Sequence, residues 1–415
     1  MAINKQDKVL NIPPLRFPGF TDEWKKCIIS DYGDIVTGTT PATNQEENYS
    51  NGEYLWATPS DLGSEKYIYT TQTKLSKKGF DKTRSLPPKA ILVTCIGSTI
   101  GKMGMAKNKM STNQQINSIV VNSAFDADFV YYAIQSKFPR YMSSIAIQAV
   151  PILSKSEFGK LSNVKTAIEE QIKIGNFLSK IDERITTQNK IIEDLKKLKS
   201  AIIDKVFCLP TEKQPNKRLY GFYDDWSKVK LSEICERITN KNSDLNCNLV
   251  LTIAAQYGLV NQLDFFNKSV ASENLSLYYI LKKGDFAYNK SYSGEYVWGA
   301  IKKLDYYEEG VLSPLYICFR PDQNKISPDF LAFYYESTKW HRGISEIAGE
   351  GARNHGLLNI SVIDFFNTIH RIPSLLEQIQ IATLLQTYQN KINNEERLLL
   401  HCQTQRKYLL TNIFI

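Results

Sequence analysis

Residues Glu169 to Phe207 read EEQIKIGNFLSKIDERITTQNKIIEDLKKLKSAIIDKVF, and the pattern occurs twice in the chain. Glu170-Gln171-Ile172 returns 207 residues later as Glu377-Gln378-Ile379, and Phe207 returns as Phe414 at the same offset. In the first copy the core-facing positions are Ile174, Leu178, Ile181, Ile185, Gln188, Ile192, Leu195, Lys199, Ile202 and Val206. In the second they are Ile381, Leu385, Tyr388, Ile392, Glu395, Leu399, Cys402, Arg406, Leu409 and Ile413. The spacing alternates four and three, the heptad seam by which under-wound helices pack side by side. Both copies break the seam with a polar residue at the same two places, Gln188/Glu395 and Lys199/Arg406. A generic amphipathic helix has no reason to match there, so the pattern is an internal duplication.

The duplication extends beyond the helix. Arg16-Phe-Pro-Gly-Phe-Thr-Asp-Glu-Trp24 returns as Arg218-Leu-Tyr-Gly-Phe-Tyr-Asp-Asp-Trp226, and Ser30/Ser232 and Thr37/Thr239 keep the same offset of 202. The copies are about 200 residues each, too long for a solenoid repeat and right for domains. Within copy one, short strands are expected at Ala90–Ile96, between the Leu86-Pro-Pro-Lys89 turn and Gly97, and at Ile116–Val121. Copy two offers Leu281–Tyr288 and Pro314–Phe319 in those places. A helical stretch follows at Asp128-Phe129 and again at Asp329-Phe330. The polar linker 208–217, with Pro210 and Pro215, ends the first long helix. The expected fold is therefore α+β with a pseudo-two-fold tandem repeat. Globular domains occupy 1–165 and 211–372, and long helices occupy 166–210 and 373–415. The two helices are expected to form an antiparallel coiled coil, as the halves of a homodimer would. Each spans roughly 50 Å at about 1.5 Å per residue. Their lysines are balanced by Glu and Asp, which suits a protein-binding or solvated strut better than a phosphate-binding surface.

The chain has 415 residues, a net charge of +8 and a hydrophobic share of 42%, an ordinary globular mixture with a basic excess compatible with nucleic acid. Its seven cysteines are scattered, odd in number and contain no CxxC pair, which argues against a disulfide framework and a zinc ribbon. No signal-peptide layout and no bilayer-length apolar run occurs, so a cytoplasmic protein without a membrane partner is expected. Gly97-Ser-Thr-Ile-Gly-Lys102 resembles a phosphate loop, but it is one residue short and Met103 stands where Ser or Thr should hold magnesium. No Asn-Pro-Pro-aromatic or Asp-Pro-Pro-aromatic signature and no strand-linked GxGxxG appears. The four histidines lack metal-ligand spacing; His370 reads as structural and His401 as a helix-surface residue. Asp61-Leu-Gly-Ser-Glu65-Lys66 lacks the Glu-x-Lys spacing of a nuclease and reads as a solvated loop. No catalytic constellation and no metal site emerges, which favours a non-catalytic binding protein.

The polar loops fit DNA readout. Thr39 and Thr40 lie in the turn Thr37-Gly-Thr-Thr-Pro41, and Thr58 and Ser60 in Trp56-Ala-Thr-Pro-Ser-Asp61. Asn113 and Gln114 carry amides that can pair bidentately with adenine. Ser98, Thr99 and Lys102 sit on a Gly loop whose backbone could approach phosphates. In copy two, Asn289, Lys290, Tyr292 and Ser293 interleave amide, basic and aromatic groups. Gly349–Gly356 holds Arg353, suited to guanine, with Asn354 and His355; Gln148 stands in the comparable place of copy one.

With those residues in hand, the chain resembles the specificity (S) subunit of a type I restriction–modification system over nearly its whole length. Copy one resembles a target recognition domain through Gly38-Thr-Thr-Pro41, Trp56–Leu62, Leu86-Pro, Gly97 to Lys102 and Asn113-Gln114. Copy two does so through Gly284–Asn289, Gly310–Tyr316 and Gly351-Ala-Arg353. Ile372-Pro-Ser-Leu-Leu-Glu-Gln-Ile-Gln-Ile381 matches the start of the family's helical region; Lys165–Gln171 lacks the proline, a departure expected to alter the helix entry angle while leaving Glu-Gln-Ile intact. The resemblance implies a reader of double-stranded DNA, each domain recognising half of a bipartite target. The helices would fix the gap and dock two modification (methyltransferase) subunits, which bring S-adenosylmethionine and methylate adenine. Restriction (translocase/endonuclease) subunits would add ATP- and magnesium-dependent cleavage, so no cofactor is expected in this chain. Two other readings are the recognition half of a fused methyltransferase–nuclease and a coiled-coil adaptor without a DNA role.

Overall fold

Both seam stretches are helices of 39 residues, Ile168–Val206 and Leu375–Ile413, which begin and end at the same repeat offset. All ten seam positions of each helix are buried or half-buried, the polar breaks included. The computed structural model describes residues 11–144, 151–254, 256–266, 274–291, 296–348 and 356–415. It divides into two units, Met1–Ile191 with Glu395–Ile415, and Ile192–Asn394. Each unit thus holds one globular domain, the first part of the long helix that follows it and the last part of the other long helix.

The first unit is built on a five-stranded sheet in the order Gly33–Thr37, Ile116–Val121, Ile91–Thr94, Met103–Ala106, Tyr67–Ile68. Its pairs are antiparallel except the last. All four residues of the central strand Ile91–Thr94 are buried, which is why that stretch is apolar without alternation. A smaller sheet sets Tyr54–Ala57 between Lys74–Leu75 and Ser111–Thr112. The helix Ala127–Ser144 closes the core.

The second unit repeats the plan with four strands, in the order Cys235–Arg237, Ile317–Pro321, Phe286–Asn289, Ala300–Lys303. The stretch Leu281–Tyr288, expected as one extended segment, holds parts of two strands, Tyr279–Lys282 and Phe286–Asn289. Gly284, at φ +92°, makes the turn between them. The Asp285 carboxylate fixes that turn, accepting from the Lys282 amide at 2.6 Å and from Arg320 through two bonds of 2.7 Å. The helix expected at Asp329-Phe330 is Pro328–Glu336.

The repeated sequence signatures meet in space. In the first unit Arg16 donates to both oxygens of Glu170, at 2.7 and 2.9 Å, and Trp24 Nε1 donates to Glu170 Oε2 at 3.1 Å. In the second, Arg218 grips Glu377 with two bonds of 2.9 Å. The adjacent glutamines bridge the helix start to the domain. Gln171 Oε1 accepts from the Asp126 amide, and Gln378 Oε1 from the Ser327 amide. Trp24, Phe129 and Phe414 form one aromatic trio, with ring centroids 5.6–6.0 Å apart. In the counterpart, Phe330 lies 6.0 Å from Trp226 and 5.2 Å from Phe207. Each long helix therefore ends with its phenylalanine in the core of the unit built on the other copy. Between the helix segments of the first unit, Gln188 Nε2 donates to the Glu395 carboxylate at 2.6 Å, so the first polar break is a matched pair.

Candidate nucleic-acid interface

Strand pairing in the first unit carries several polar loops to one end of the five-stranded sheet. Thr37, last in its strand, faces Asn117, and Thr94, last in the next, faces Ile116. Val93 faces Met103, so the Gly97–Lys102 loop turns at that same end. The Thr39 amide donates to the Thr112 carbonyl at 2.8 Å, and the Asn113 amide to the Ala57 carbonyl at 3.0 Å, which ties in the loop of Thr58 and Ser60. Thr39, Thr40, Thr58, Ser60, Ser98, Thr99, Lys102, Asn113 and Gln114, drawn from four stretches of sequence, are thus neighbours at one rim.

Glycines permit this crowding. A Cβ on Gly38 would lie 2.0 Å from the Asn113 carbonyl oxygen, so the close approach of these two loops requires glycine. Gly101, at φ +92°, packs against the Phe138 ring, where a Cβ would sit 2.6 Å away. Gly97 and Gly101 are turn residues of a strand connection, with Gly101 N donating back to the Thr94 carbonyl.

The rim residues do not all stand free. Asn113 is buried, and its amide is engaged with Gln115, donating at 2.9 Å to Oε1 and accepting at 3.1 Å from the backbone. Thr58 donates to Asp61 at 2.9 Å and also bonds Ser60. These two hold the loops. Gln114, Ser98, Ser60 and Lys102 are exposed and Thr39, Thr40 and Thr99 half-exposed, so these side chains can reach a ligand. Thr40 bonds Gln114, tying the first loop to the third. Arg84, not among the residues expected from the sequence, is exposed at the same rim and donates to the Thr37 carbonyl at 2.7 Å. Its signal was a basic residue just before Leu86-Pro-Pro, whose Leu86 bridges to Met110 at the start of the amide loop. In the second unit Asn289, last in its strand, pairs with Ala300 at the corresponding sheet end, and Lys290 Nζ reaches the Ile360 carbonyl at 3.4 Å. Gln148, Tyr292, Ser293, Arg353, Asn354 and His355 lie outside the described residues.

One loop departs from expectation. Lys66, read as part of a solvated segment, is 7% exposed. Its ammonium bonds Asp128, donates to Ser179 on the first long helix at 2.7 Å and lies 4.5 Å over the Tyr132 ring. Burial alone would lift Asp128, but the ammonium groups of Lys66 and Lys89 hold it below the ordinary carboxylate value. Asp61 is likewise structural, accepting from the Thr58 and Gln72 amides. Among the described residues no group of three His, Cys, Asp or Glu side chains is placed to hold a metal ion. No described helix is long and apolar enough to cross a membrane.

Residues 21–197 match the family described as type I restriction modification DNA specificity domain. The chain is 27% identical over 236 residues to the type I restriction enzyme MjaIX specificity subunit of Methanocaldococcus jannaschii, spanning 53% of this chain and 54% of that protein. It is 23% identical over 416 residues to the MjaVIII specificity subunit of the same organism, spanning 94% of this chain and 91% of that one. Residues 21–197 thus carry the likeness to the type I DNA specificity domain, and the rest of the chain is similar to type I specificity subunits at lower identity. A third relative, the HindI specificity subunit of Haemophilus influenzae, is 30% identical over 151 residues, 35% of this chain and 32% of that protein. The matches therefore span about half of the first relative, a third of the last and nearly all of MjaVIII. The fold agrees with the solved type I restriction–modification S subunit from M. genitalium, at a TM-score of 0.60 and 18% identity over 97% of this chain and 99% of that one.

Proposed function

We propose that each globular domain reads one half of a bipartite, asymmetric double-stranded DNA target through its polar sheet rim. The observation that carries this is the gathering of hydroxyl, amide and basic side chains from separate loops at one sheet end of the first unit, with Asn289 and Lys290 at the corresponding sheet end of the second. Exposed Gln114 suits bidentate contact with adenine, while Lys102 and Arg84 suit phosphates. The two rims share a scaffold and differ in sequence, as reading two different half-sites requires. The long helices fix the gap and dock two modification subunits. Ile172 and Ile379, counterparts in the two helices, are 44% and 49% exposed, giving an equivalent apolar foothold near the start of each helix. The modification subunits bring S-adenosylmethionine and methylate adenine; restriction subunits, where they join, supply ATP- and magnesium-dependent cleavage. This chain contributes recognition and spacing and carries out no chemistry itself.

Co-expression of the chain with a candidate modification subunit tests this reading. The two should co-purify, and the complex should methylate adenine in a bipartite site that neither component methylates alone. Methylation by the purified chain by itself would sink the proposal, as would a stable complex with no sequence preference.

A further inference from the structure

In each unit, one seam cation joins three elements at a point. In the first unit Arg406, on the second long helix, bonds Asp182 on the first long helix. Its Nη2 donates at 2.8 Å to Gln135 Oε1 on the domain's own helix. The guanidinium lies 5.9 Å from the centroid of the Tyr132 ring, whose hydroxyl donates to Asp182 at 2.7 Å. In the second unit Lys199, on the first long helix, donates at 2.7 Å to Gln389 on the second and at 2.7 Å to Glu336 on the domain's helix. Its ammonium lies 4.9 Å from the Phe333 ring centroid.

These are the same positions of the repeat. Arg406 and Lys199 are counterparts, as are Asp182 and Gln389, Gln135 and Glu336, and Tyr132 and Phe333. The carboxylate and the amide have changed places between helix and domain. Each cation still meets one acid, one amide and one ring. An arrangement kept in kind while its parts are exchanged points to a requirement on the joint and not on any one side chain.

The joint is directional where its surroundings are not. Apolar seam and aromatic packing are set by area and tolerate small rotations. Charge-assisted hydrogen bonds fix distance and angle together. Lys199 is 9% exposed and Asp182 14%, so a slip of either helix or of the domain would leave a largely buried charge without its partner. A buried ion pair adds little net stability, and register is its best-attested use.

We infer that the Arg406–Asp182–Gln135 and Lys199–Glu336–Gln389 triads are positioning devices. They fix each domain's orientation on its own helix segments, and through it how strictly the protein measures the gap between half-sites. The inference rests on the bipartite reading proposed above.

The test uses the full-length chain assembled with its modification subunit. Duplexes carry the two mapped half-sites separated by the native gap, or by one base pair more or fewer. Wild type should methylate the native gap preferentially. Arg406→Met and Lys199→Met should keep the same half-site sequences while the preference for the native gap falls about tenfold. Arg406→Lys, the cation that the other copy uses, should restore most of it. Gln135→Ala removes one half-exposed neutral acceptor and leaves the ion pair, so it should fold and relax the preference by about threefold. Unchanged gap preference in Gln135→Ala and in the assembled Met variants overturns the inference, as does an equal loss at every gap. Wild-type complex that methylates no bipartite duplex overturns the proposed function itself, which is a separate outcome.

Discussion

Glu170 is explained mainly by residues far from it in sequence. Its side chain is fully buried and accepts from Arg16, Trp24 and Thr166. The sequence showed Arg16, Trp24 and Glu170 as repeated signatures but not as partners, because no local pattern reports a contact across 154 residues. Lys66 failed for a related reason. A lysine beside Gly63-Ser64-Glu65 has the composition of a solvated loop, and only the packing of Asp128, Tyr132 and Ser179 around it makes it a core residue. His370 went the other way. Its structural reading holds, since it is 5% exposed and bonds Tyr334 at 3.0 Å and Thr368 at 2.8 Å.

Burial lowers the His370 pKa from 6.5 to about 4, so the folded protein keeps it neutral where the unfolded chain protonates it. Stability from this group is present in full above about pH 6.5 and is lost as pH falls toward 4, up to about 3 kcal/mol. Urea denaturation at pH 7.5 and pH 5 should show wild type losing more stability on acidification than His370→Gln; equal losses would refute the assignment. Lys102 carries a prediction of a different kind. It is exposed on the sheet rim, so Lys102→Ala should weaken DNA binding evenly across sequences and lower the salt slope by about 1. Unchanged affinity and salt dependence would remove it from the interface.

At the level of the element, the long helix was the most legible feature of the chain. Every seam position foreseen from the four-three spacing is buried or half-buried, because a heptad pattern constrains one face over ten positions at once. What the spacing could not show was the partner of each polar break. Gln188 meets its own counterpart Glu395, whereas Lys199 and Arg406 each meet an acid and an amide within their own unit. This gives a rule for exchanging parts. Placing the second domain on the first helix brings Glu336 beside Asp182, two carboxylates against Arg406. Extending the transplant through Gln389 in place of Asp182 restores one acid and one amide. The shorter chimera should be less stable than the longer one by about 1 kcal/mol or more in urea denaturation. Equal stability would mean that the joint tolerates any combination.

For the whole molecule, duplication explains both what was readable and what was not. Two copies of one scaffold made the domain plan visible, because matches at constant offsets outweigh the ambiguity of any single strand. The rims resist the same treatment, since they are where the copies differ. Asn113 and Gln114 are neighbours of similar chemistry, yet one locks a turn and the other faces solvent. The central claim is that a chain with two different rims on one repeated frame assigns an adenine methyltransferase to a two-part target. Mapping N6-methyladenine across the genome of cells with and without this chain tests it most directly. The account predicts a single bipartite motif, two unlike half-sites at a fixed gap, that is methylated only when the chain is present. An unchanged methylome, or a chain-dependent motif that is continuous or palindromic, would contradict it.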